Sequence, residues 1–408
     1  MKLGWIDFSK KERSNVKDLL DSLKEKAVKD ELGISAIRDY FSELFFPGIT
    51  IAETRAKYFC YVAYLLSDMK ANNLLTENEL YKKEYQLCGE LINKFSNVSN
   101  YYGIIGVNTY KENQKENITK KEPKWVIRTP AEIYWNGMQK YQIIKAENIL
   151  INDFLTITKT INNTKAQNKS LGSGYKEEND YKDDYDANNI NSSQLLNIPT
   201  YEKDWKKHLS LELTSEEARF LKEQIIENCP NTLLSYILDN NKIDFVNNDL
   251  EFHEIDSKNL PDGIREDFIL AAAFSEFMNL IYIRYNTIIY GNNNQKVKDK
   301  WSNASNNYQL SALDLDKIEI KVGKNYKLFK FLKNAKICLL NNDLEKLDNL
   351  IIERERSIKG SQRAKTSNID TYKLSNSWFC GDYLHYRFQT AKTIIKDILK
   401  GVNSDVCE

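Results

Sequence analysis

The chain has 408 residues, with 58 Lys and Arg against 58 Asp and Glu, so its formal net charge at pH 7 is zero. This length predicts two or three domains, and the neutral balance excludes a general electrostatic attraction to nucleic acid or to an anionic membrane. Any such binding must therefore be local. Six cysteines without Cys-x-x-Cys pairs are typical of reduced thiols, and they predict a bacterial cytoplasmic protein.

Helical patterns occupy much of the first hundred residues. Ser9 to Glu12 forms a capping-box pattern, and helices are predicted after it, over Ser35–Phe45 and over Glu77–Phe95. A further capping box, Thr50 with Glu53, predicts a helix that begins at Thr50 and runs through an apolar segment.

Arg55 falls within the apolar arc of this predicted helix. A guanidinium stays charged in a protein, so at such a position it requires a carboxylate partner or an anionic ligand such as phosphate. We expect an ion pair. The nearest carboxylates in sequence are Asp7, Asp39 and Glu43.

Two β-prone runs, residues 101–107 and 124–128, flank a lysine-rich stretch and predict a β-hairpin. Residues 111–128 hold six basic side chains against three acidic ones. A capped helix, Pro130–Tyr141, follows. Helices beside a basic hairpin are typical of a winged-helix module, which would place Lys120, Lys121 and Lys124 against DNA. The alternative is a solvated, lysine-rich loop.

The composition changes between residues 159 and 197, where Asn, Lys, Asp, Ser and Gly predominate. This stretch predicts a flexible polar linker or loop between an N-terminal domain, residues 1–150, and a C-terminal domain, residues 200–408. Within the latter, a capped helix is predicted after Thr214. A long apolar helix, Arg265–Tyr290, is expected at its centre, followed by a polar tract over residues 292–310.

A second basic segment, residues 354–373, holds six basic side chains against two acidic ones. It follows a predicted helix over Asp343–Ile358, so the macrodipole explains cations at this position, and phosphate binding is the alternative. The predicted final helix, Leu384–Leu399, carries Arg387 at the edge of its apolar face. Arg387 therefore also requires a carboxylate partner or an anionic ligand.

Catalytic patterns are weak. The three histidines, His208, His253 and His385, have no Cys, His or carboxylate at the spacing of a metal site, so no metal or cofactor is predicted. A nuclease interpretation could start from Glu254, Asp256 and Lys258, because carboxylates beside a lysine can hold Mg²⁺. That interpretation requires a flanking apolar strand, which the sequence does not indicate.

Short motifs occur along most of the chain: Gly4-Trp5-Ile6-Asp7-Phe8-Ser9, Thr54-Arg55-Ala56-Lys57-Tyr58-Phe59, Gly103-Ile104-Ile105-Gly106, Pro130 with Tyr134-Trp135, Glu217-Ala218, Phe274-Ser275, Tyr285-Asn286, and Arg354-Glu355 with Lys359-Gly360. Together they resemble an uncharacterised bacterial protein family, a domain of unknown function. The resemblance carries over no catalytic residue. It implies a place beside helicases and nucleases in anti-phage defence neighbourhoods.

The expected fold class is mainly α: a helical bundle with a small winged-helix-like β-hairpin in the N-terminal half, and a helical C-terminal domain. The expected function is a non-enzymatic component of a prokaryotic anti-phage defence system that associates with DNA or with a partner protein. Its partners would be double-stranded DNA or a helicase or nuclease of that system, and not a membrane. A nuclease of unrecognised type and a structural scaffold for a helicase stay open. The candidate binding side chains are Arg55, Lys57, Lys120, Lys121, Lys124, Arg354, Lys359, Arg363, Lys365 and Arg387.

Overall fold

The computed structural model describes residues 30–95, 103–115, 125–171, 195–246, 250–307, 312–323, 325–374 and 377–404. These residues are mainly helical. They form fifteen α-helices: α1 Ser35–Phe45, α2 Lys57–Ala71, α3 Glu77–Lys94, α4 Val107–Lys115, α5 Pro130–Lys140, α6 Ile151–Leu171, α7 Ser215–Asn228, α8 Leu233–Asp239, α9 Asp262–Tyr290, α10 Gln295–Asn307, α11 Leu315–Val322, α12 Tyr326–Leu340, α13 Leu344–Lys359, α14 Ile369–Lys373 and α15 Phe388–Val402.

The winged-helix-like β-hairpin is wrong. No β-strand occurs in the described parts of the chain, where one isolated bridge joins Ile144 and Leu196. The first predicted strand is instead a turn, with Gly103 at φ +93° and Gly106 at φ +78°, and it leads directly into helix α4. Backbone at positive φ breaks an extended strand, so two glycines three residues apart favour a turn. The second predicted strand, residues 125–128, is irregular.

The described residues divide into two compact units. Unit 1 consists of Met1–Phe41 and Phe252–Tyr386, and unit 2 of Ser42–Glu251 and Arg387–Glu408. Each unit therefore combines segments that lie far apart in sequence. Helix α6 covers residues 159–171 of the predicted linker, and residues 172–194 lie outside the described parts of the chain.

Unit 2 is built around α2, which buries eleven of its fifteen residues. Helices α3, α5 and α6 pack against it, and α15 packs on α7 and α8. Aromatic rings fill the centre: Phe59 meets Tyr134 edge to face, with their centroids 4.8 Å apart. The apolar face of α15 is buried as its periodicity predicted, with Phe388, Ile395 and Ile398 below 1% exposure.

Unit 1 is built around α9, against which α10, α13 and α14 pack. Helix α9 is long and apolar enough to cross a membrane by composition, but 83% of its most apolar window is buried within the protein. Burial of this extent is typical of a core helix, as the sequence predicted. Its polar residues are bonded in place: the Ser275 hydroxyl accepts a hydrogen bond from the Leu384 N–H at 2.7 Å.

Most predicted helices agree with the structure to within a few residues. Thr129 and Thr214 both cap helices through complete capping boxes, with Glu132 and Glu217 respectively. Two predicted starts are wrong. The helix predicted from Thr50 begins at Lys57, and the helix predicted from Leu384 begins at Phe388. The helix predicted after Ser9 lies outside the described residues.

Candidate functional site

Residues 50–56 form a turn ahead of α2, so Arg55 lies on that turn and not on a helical face. The predicted ion pair is confirmed, but the partner is Asp397 of α15 and none of the three nearest carboxylates. Nε and Nη2 of Arg55 each donate to a carboxylate oxygen of Asp397 at 2.8 Å. The Ala56 N–H donates to the same carboxylate at 2.9 Å. This bidentate pair fixes the turn to α15.

The Tyr134 hydroxyl of α5 holds the same turn from a second direction. It accepts hydrogen bonds from the backbone N–H of Thr54 at 2.8 Å and of Arg55 at 3.1 Å. It also donates to the Arg55 carbonyl oxygen at 2.8 Å. A fully buried tyrosine thus satisfies two backbone N–H groups outside any helix or strand, and it shares the Arg55 carbonyl oxygen with the Tyr58 N–H.

The Gly103–Gly106 motif packs directly on this turn. The Thr54 hydroxyl donates to the Gly103 carbonyl oxygen at 2.7 Å. A Cβ atom at Gly103 would lie 2.6 Å from Cγ of Arg55, and the residue has φ +93°, so both space and backbone require glycine. At the far end of the motif, Nε1 of Trp125 donates to the Gly106 carbonyl oxygen at 3.2 Å.

A depression of about 250 Å³ opens beside the turn in unit 2. Its volume is slightly below the usual range for sites that take drug-sized ligands. Six residues line it, and none of them is aromatic or carries a large aliphatic side chain: Glu53, Thr54, Gly103, Gln389, Thr390 and Thr393.

Glu53 is the one ionisable residue of this lining, and only 5% of its surface is exposed. Its Oε1 accepts the Thr50 N–H at 3.1 Å, which reproduces half of the predicted capping box without a helix. Its Oε2 has no hydrogen-bond partner among the described residues. Burial raises the pKa of Glu53 well above its usual value, against the opposing effects of the Thr50 N–H and the Arg387 charge. Burial therefore favours the protonated, uncharged form of this carboxyl group.

Lys57 is buried at the start of α2 and forms an ion pair with Glu217 of α7. Its Nζ lies 2.7 Å from Oε1 of Glu217, and the Tyr64 hydroxyl donates to the same oxygen at 2.8 Å. Because Lys57 and Glu217 are about 95% buried, this ammonium is enclosed within unit 2.

Arg387 precedes α15 in the left-handed backbone region, at φ +66°. Its Nη1 donates to the Ile49 carbonyl oxygen at 2.7 Å and lies 3.4 Å from Oε2 of Glu43. The side chain therefore holds the segment that leads to the turn, at the same carboxylate that the sequence had offered to Arg55.

Four of the candidate cations belong to unit 1, and two of them, Lys359 and Lys365, bond to the fully buried carboxylate of Glu355. Lys359 bonds to Glu355 and to Glu31, and Lys365 pairs with Glu31. The Arg354 Nε donates to the Leu32 carbonyl oxygen at 2.9 Å, and burial lowers the pKa of Arg354. Arg363 is exposed, and its Nε donates to the Lys359 carbonyl oxygen at 3.1 Å.

Lys120, Lys121 and Lys124 lie outside the described residues. The nuclease pattern lies in unit 1 on two short 3₁₀ turns, Phe252–Glu254 and Ser257–Asn259, and not on a strand. There the Asp256 carboxylate accepts the Lys258 N–H at 3.0 Å and so caps the second turn. Among the described residues, no group of three His, Cys, Asp or Glu is placed to hold a metal ion.

Helix α12 in unit 1 has an exposed apolar face that was not predicted from the sequence. Tyr326, Ile337 and Leu340 are 71%, 52% and 59% exposed, and spacings of eleven and three residues place them on one side of the helix. The exposed Lys330 lies on the same side, with its Nζ 5.9 Å from the centre of the Tyr326 ring. We call these four residues, together with the exposed Lys327, the α12 face. Helical periodicity in the printed sequence shows this stripe, although not that it faces solvent.

The fold and the turn thus define a mainly helical protein with a rigid, arginine-anchored turn beside a polar depression. A family model described as a family of unknown function, DUF6361, matches residues 1–142. This range contains the turn and both glycines of the Gly103–Gly106 motif, and it supports the resemblance to an uncharacterised domain. The searches of curated proteins and of solved structures gave no match.

Proposed function

We propose that this chain is a non-enzymatic component of a prokaryotic anti-phage defence system that acts by docking an acidic protein partner on the α12 face. The observation that carries the proposal is the exposure of three large apolar side chains beside two lysines on one helix. The defence setting is supported by the resemblance of the sequence motifs alone. A helicase or nuclease of the same system is the expected partner.

The α12 face has the composition of an interface. A tyrosine at the start of the helix and two aliphatic side chains about three turns further along can supply apolar contacts to a partner, with Lys330 between them. Lys327 and Lys330 have no carboxylate within salt-bridge distance among the described residues. By contrast, Lys333 on the same helix is paired with Asp316 and Glu319. Two unneutralised lysines beside apolar groups favour a partner that is acidic around an apolar patch.

Partner docking is favoured over DNA binding because most of the candidate cations that the structure describes already form hydrogen bonds or ion pairs within their own unit. Arg55, Lys57 and Arg387 bond to groups of unit 2, and Lys359 and Lys365 bond to buried carboxylates of unit 1. An ion pair of this kind would have to break before its cation could contact phosphate. DNA association therefore depends on exposed side chains such as Arg363, and it is the second candidate.

The test uses the purified full chain and the purified products of the genes beside it, after nuclease treatment. We expect one of these products to bind. Replacing Lys327 and Lys330 together by Glu should weaken that binding at least tenfold, as should Ile337→Asp. Ile269→Asp is the matched control, since Ile269 is an aliphatic residue of α9, 42% exposed, away from α12 in sequence. Absence of binding by any neighbour, or binding that both α12 variants leave unchanged, would contradict the proposal.

A titration of duplex DNA across a salt series separates the second candidate. An affinity that falls steeply with salt and is reduced by Arg363→Met, but not by the α12 variants, would assign the chain to DNA association. A helicase scaffold is identified if the neighbouring product that binds is the helicase, if the α12 variants weaken this binding, and if the chain has no DNA affinity at low salt. Cleavage of plasmid DNA with Mg²⁺, lost in Asp256→Ala, would instead support a nuclease.

A further inference from the structure

We propose that the depression in unit 2 is a binding site for the sugar ring of a small uncharged molecule. It is independent of the α12 face, which belongs to unit 1. The ligand could be a free monosaccharide or the ribose of a nucleoside, because both present the same adjacent hydroxyl groups.

The lining determines the class of ligand. Thr390, Thr393 and Gln389 offer hydroxyl and amide groups along one side of α15, and Glu53 offers a carboxyl group from the turn. The hydroxyl and amide groups both donate and accept hydrogen bonds, as the hydroxyl groups of a sugar do, and the carboxyl group accepts hydrogen bonds in either protonation state. None of the six lining residues carries a positive charge, so no lining group compensates an anionic ligand. An apolar ligand would bury little apolar surface against such a lining.

One oxygen of the Glu53 carboxyl group is available to form a further hydrogen bond. Its Oε2 is shielded from water and has no partner among the described residues, and the Thr50 hydroxyl is likewise without one. A buried polar group left without a hydrogen-bond partner destabilises the folded state. Rotation about the last bond of a glutamate side chain is soft, so the carboxyl group can turn toward a ligand, although the Thr50 N–H bond to Oε1 must then shift. A ligand hydroxyl would supply the missing partner.

The walls of the depression are held in place. The Thr54 hydroxyl bonds to Gly103, and the Arg55–Asp397 pair ties the turn to the helix that carries Thr390 and Thr393. At the rim, Nε2 of Gln389 donates to Glu251 at 2.9 Å, which leaves the amide oxygen directed by a fixed side chain. A site whose lining is fixed before the ligand arrives loses less conformational entropy on binding.

The experiment is saturation-transfer NMR and calorimetry on the full chain with D-ribose, D-glucose, adenosine and 2′,3′-dideoxyadenosine. We expect saturable binding of at least one of the first three. Binding of a free sugar identifies a monosaccharide site. Binding of adenosine but neither of the free sugars nor dideoxyadenosine identifies a nucleoside site that recognises ribose. No binding, or equal binding of adenosine and dideoxyadenosine, would overturn the proposal.

Isosteric variants localise the binding. Thr390→Val and Thr393→Val should each weaken it at least fivefold while unfolding at the parent temperature. Thr156→Val is the matched control, because the Thr156 hydroxyl of α6 bonds to the Asn152 carbonyl four residues earlier, as Thr393 does to Gln389. Glu53→Gln keeps a donor and an acceptor and should bind within threefold of the parent. If both α15 variants bind as the parent does, the ligand binds elsewhere and the proposed site is wrong.

Discussion

Removal of the Asp397 carboxylate tests the anchoring of the turn most directly. In Asp397→Ala the guanidinium of Arg55 loses both of its charge-assisted bonds, and the Ala56 N–H loses its acceptor. The side chains of Arg55 and Asp397 are 17% and 9% exposed, so water can solvate the stranded cation only in part. Breaking a buried pair from one side costs about 3–5 kcal/mol. The residual exposure of Arg55 favours the lower end, about 3 kcal/mol of unfolding free energy.

Reversible urea unfolding, followed by far-ultraviolet circular dichroism at constant salt, measures this loss. Asp204→Ala is the control, because the Lys207–Asp204 pair of unit 2 is 74% and 50% exposed and should contribute at most about 1 kcal/mol. Amide exchange over residues 54–60, read by mass spectrometry, should accelerate in Asp397→Ala alone. The Arg55→Leu and Asp397→Leu double variant should be less destabilised than the sum of the single variants.

A loss below about 0.5 kcal/mol in Asp397→Ala, with unchanged exchange over residues 54–60, would refute this reasoning. Additive effects of the Arg55 and Asp397 variants would do so as well, because groups that interact directly must show a coupling energy. The ion pair would then contribute nothing measurable to the free energy of unfolding.

Two further perturbations concern backbone space and proton binding. Gly103→Ala should destabilise the protein by roughly 1–3 kcal/mol more than Gly291→Ala. Both glycines have positive φ, but only at Gly103 would the added Cβ meet a neighbour, Cγ of Arg55 at 2.6 Å. Equal losses of unfolding free energy in urea would show that no clash occurs. Burial raises the pKa of Glu84 to about 8, so between about pH 4.5 and pH 8 the folded state binds a proton that the unfolded state releases, and stability falls as the pH rises. Glu84→Gln keeps an acceptor for the Ala131 N–H and should match the parent near pH 5 yet exceed it by a few kcal/mol at pH 8; parallel stability curves from pH 5 to pH 8 would argue against this origin.

Local sequence patterns were sufficient to predict eight of the fifteen described helices, two of them with the wrong start. Capping boxes such as Thr129 with Glu132 satisfy helix-terminal N–H groups from within four residues, so they act without tertiary contacts. The same pattern at Thr50 and Glu53 produced one of its two hydrogen bonds but no helix, because the following residues bond instead to Tyr134 and Asp397. The local preference was overridden by partners distant in sequence.

The Gly103–Gly106 motif shows the same limit. Its β-prone residues predicted a strand, yet the glycines take positive φ values that only a turn uses, and Gly103 is packed against Arg55. Nothing between residues 101 and 107 identifies Arg55 as the neighbour. The hairpin was therefore wrong for a reason that becomes visible only in the folded protein.

Patterns along the chain were sufficient to predict a mainly helical fold, a carboxylate partner for Arg55 and the burial of α9. These properties depend on spacing along one element or on the cost of an unpaired buried charge. Three features depend on contacts between segments far apart in sequence: the choice of Asp397 as that carboxylate, the internal bonding of most candidate cations among the described residues, and the exposure of the α12 face. A partner more than 300 residues away leaves no local pattern, because loop closure can bring any two helices of the same unit together.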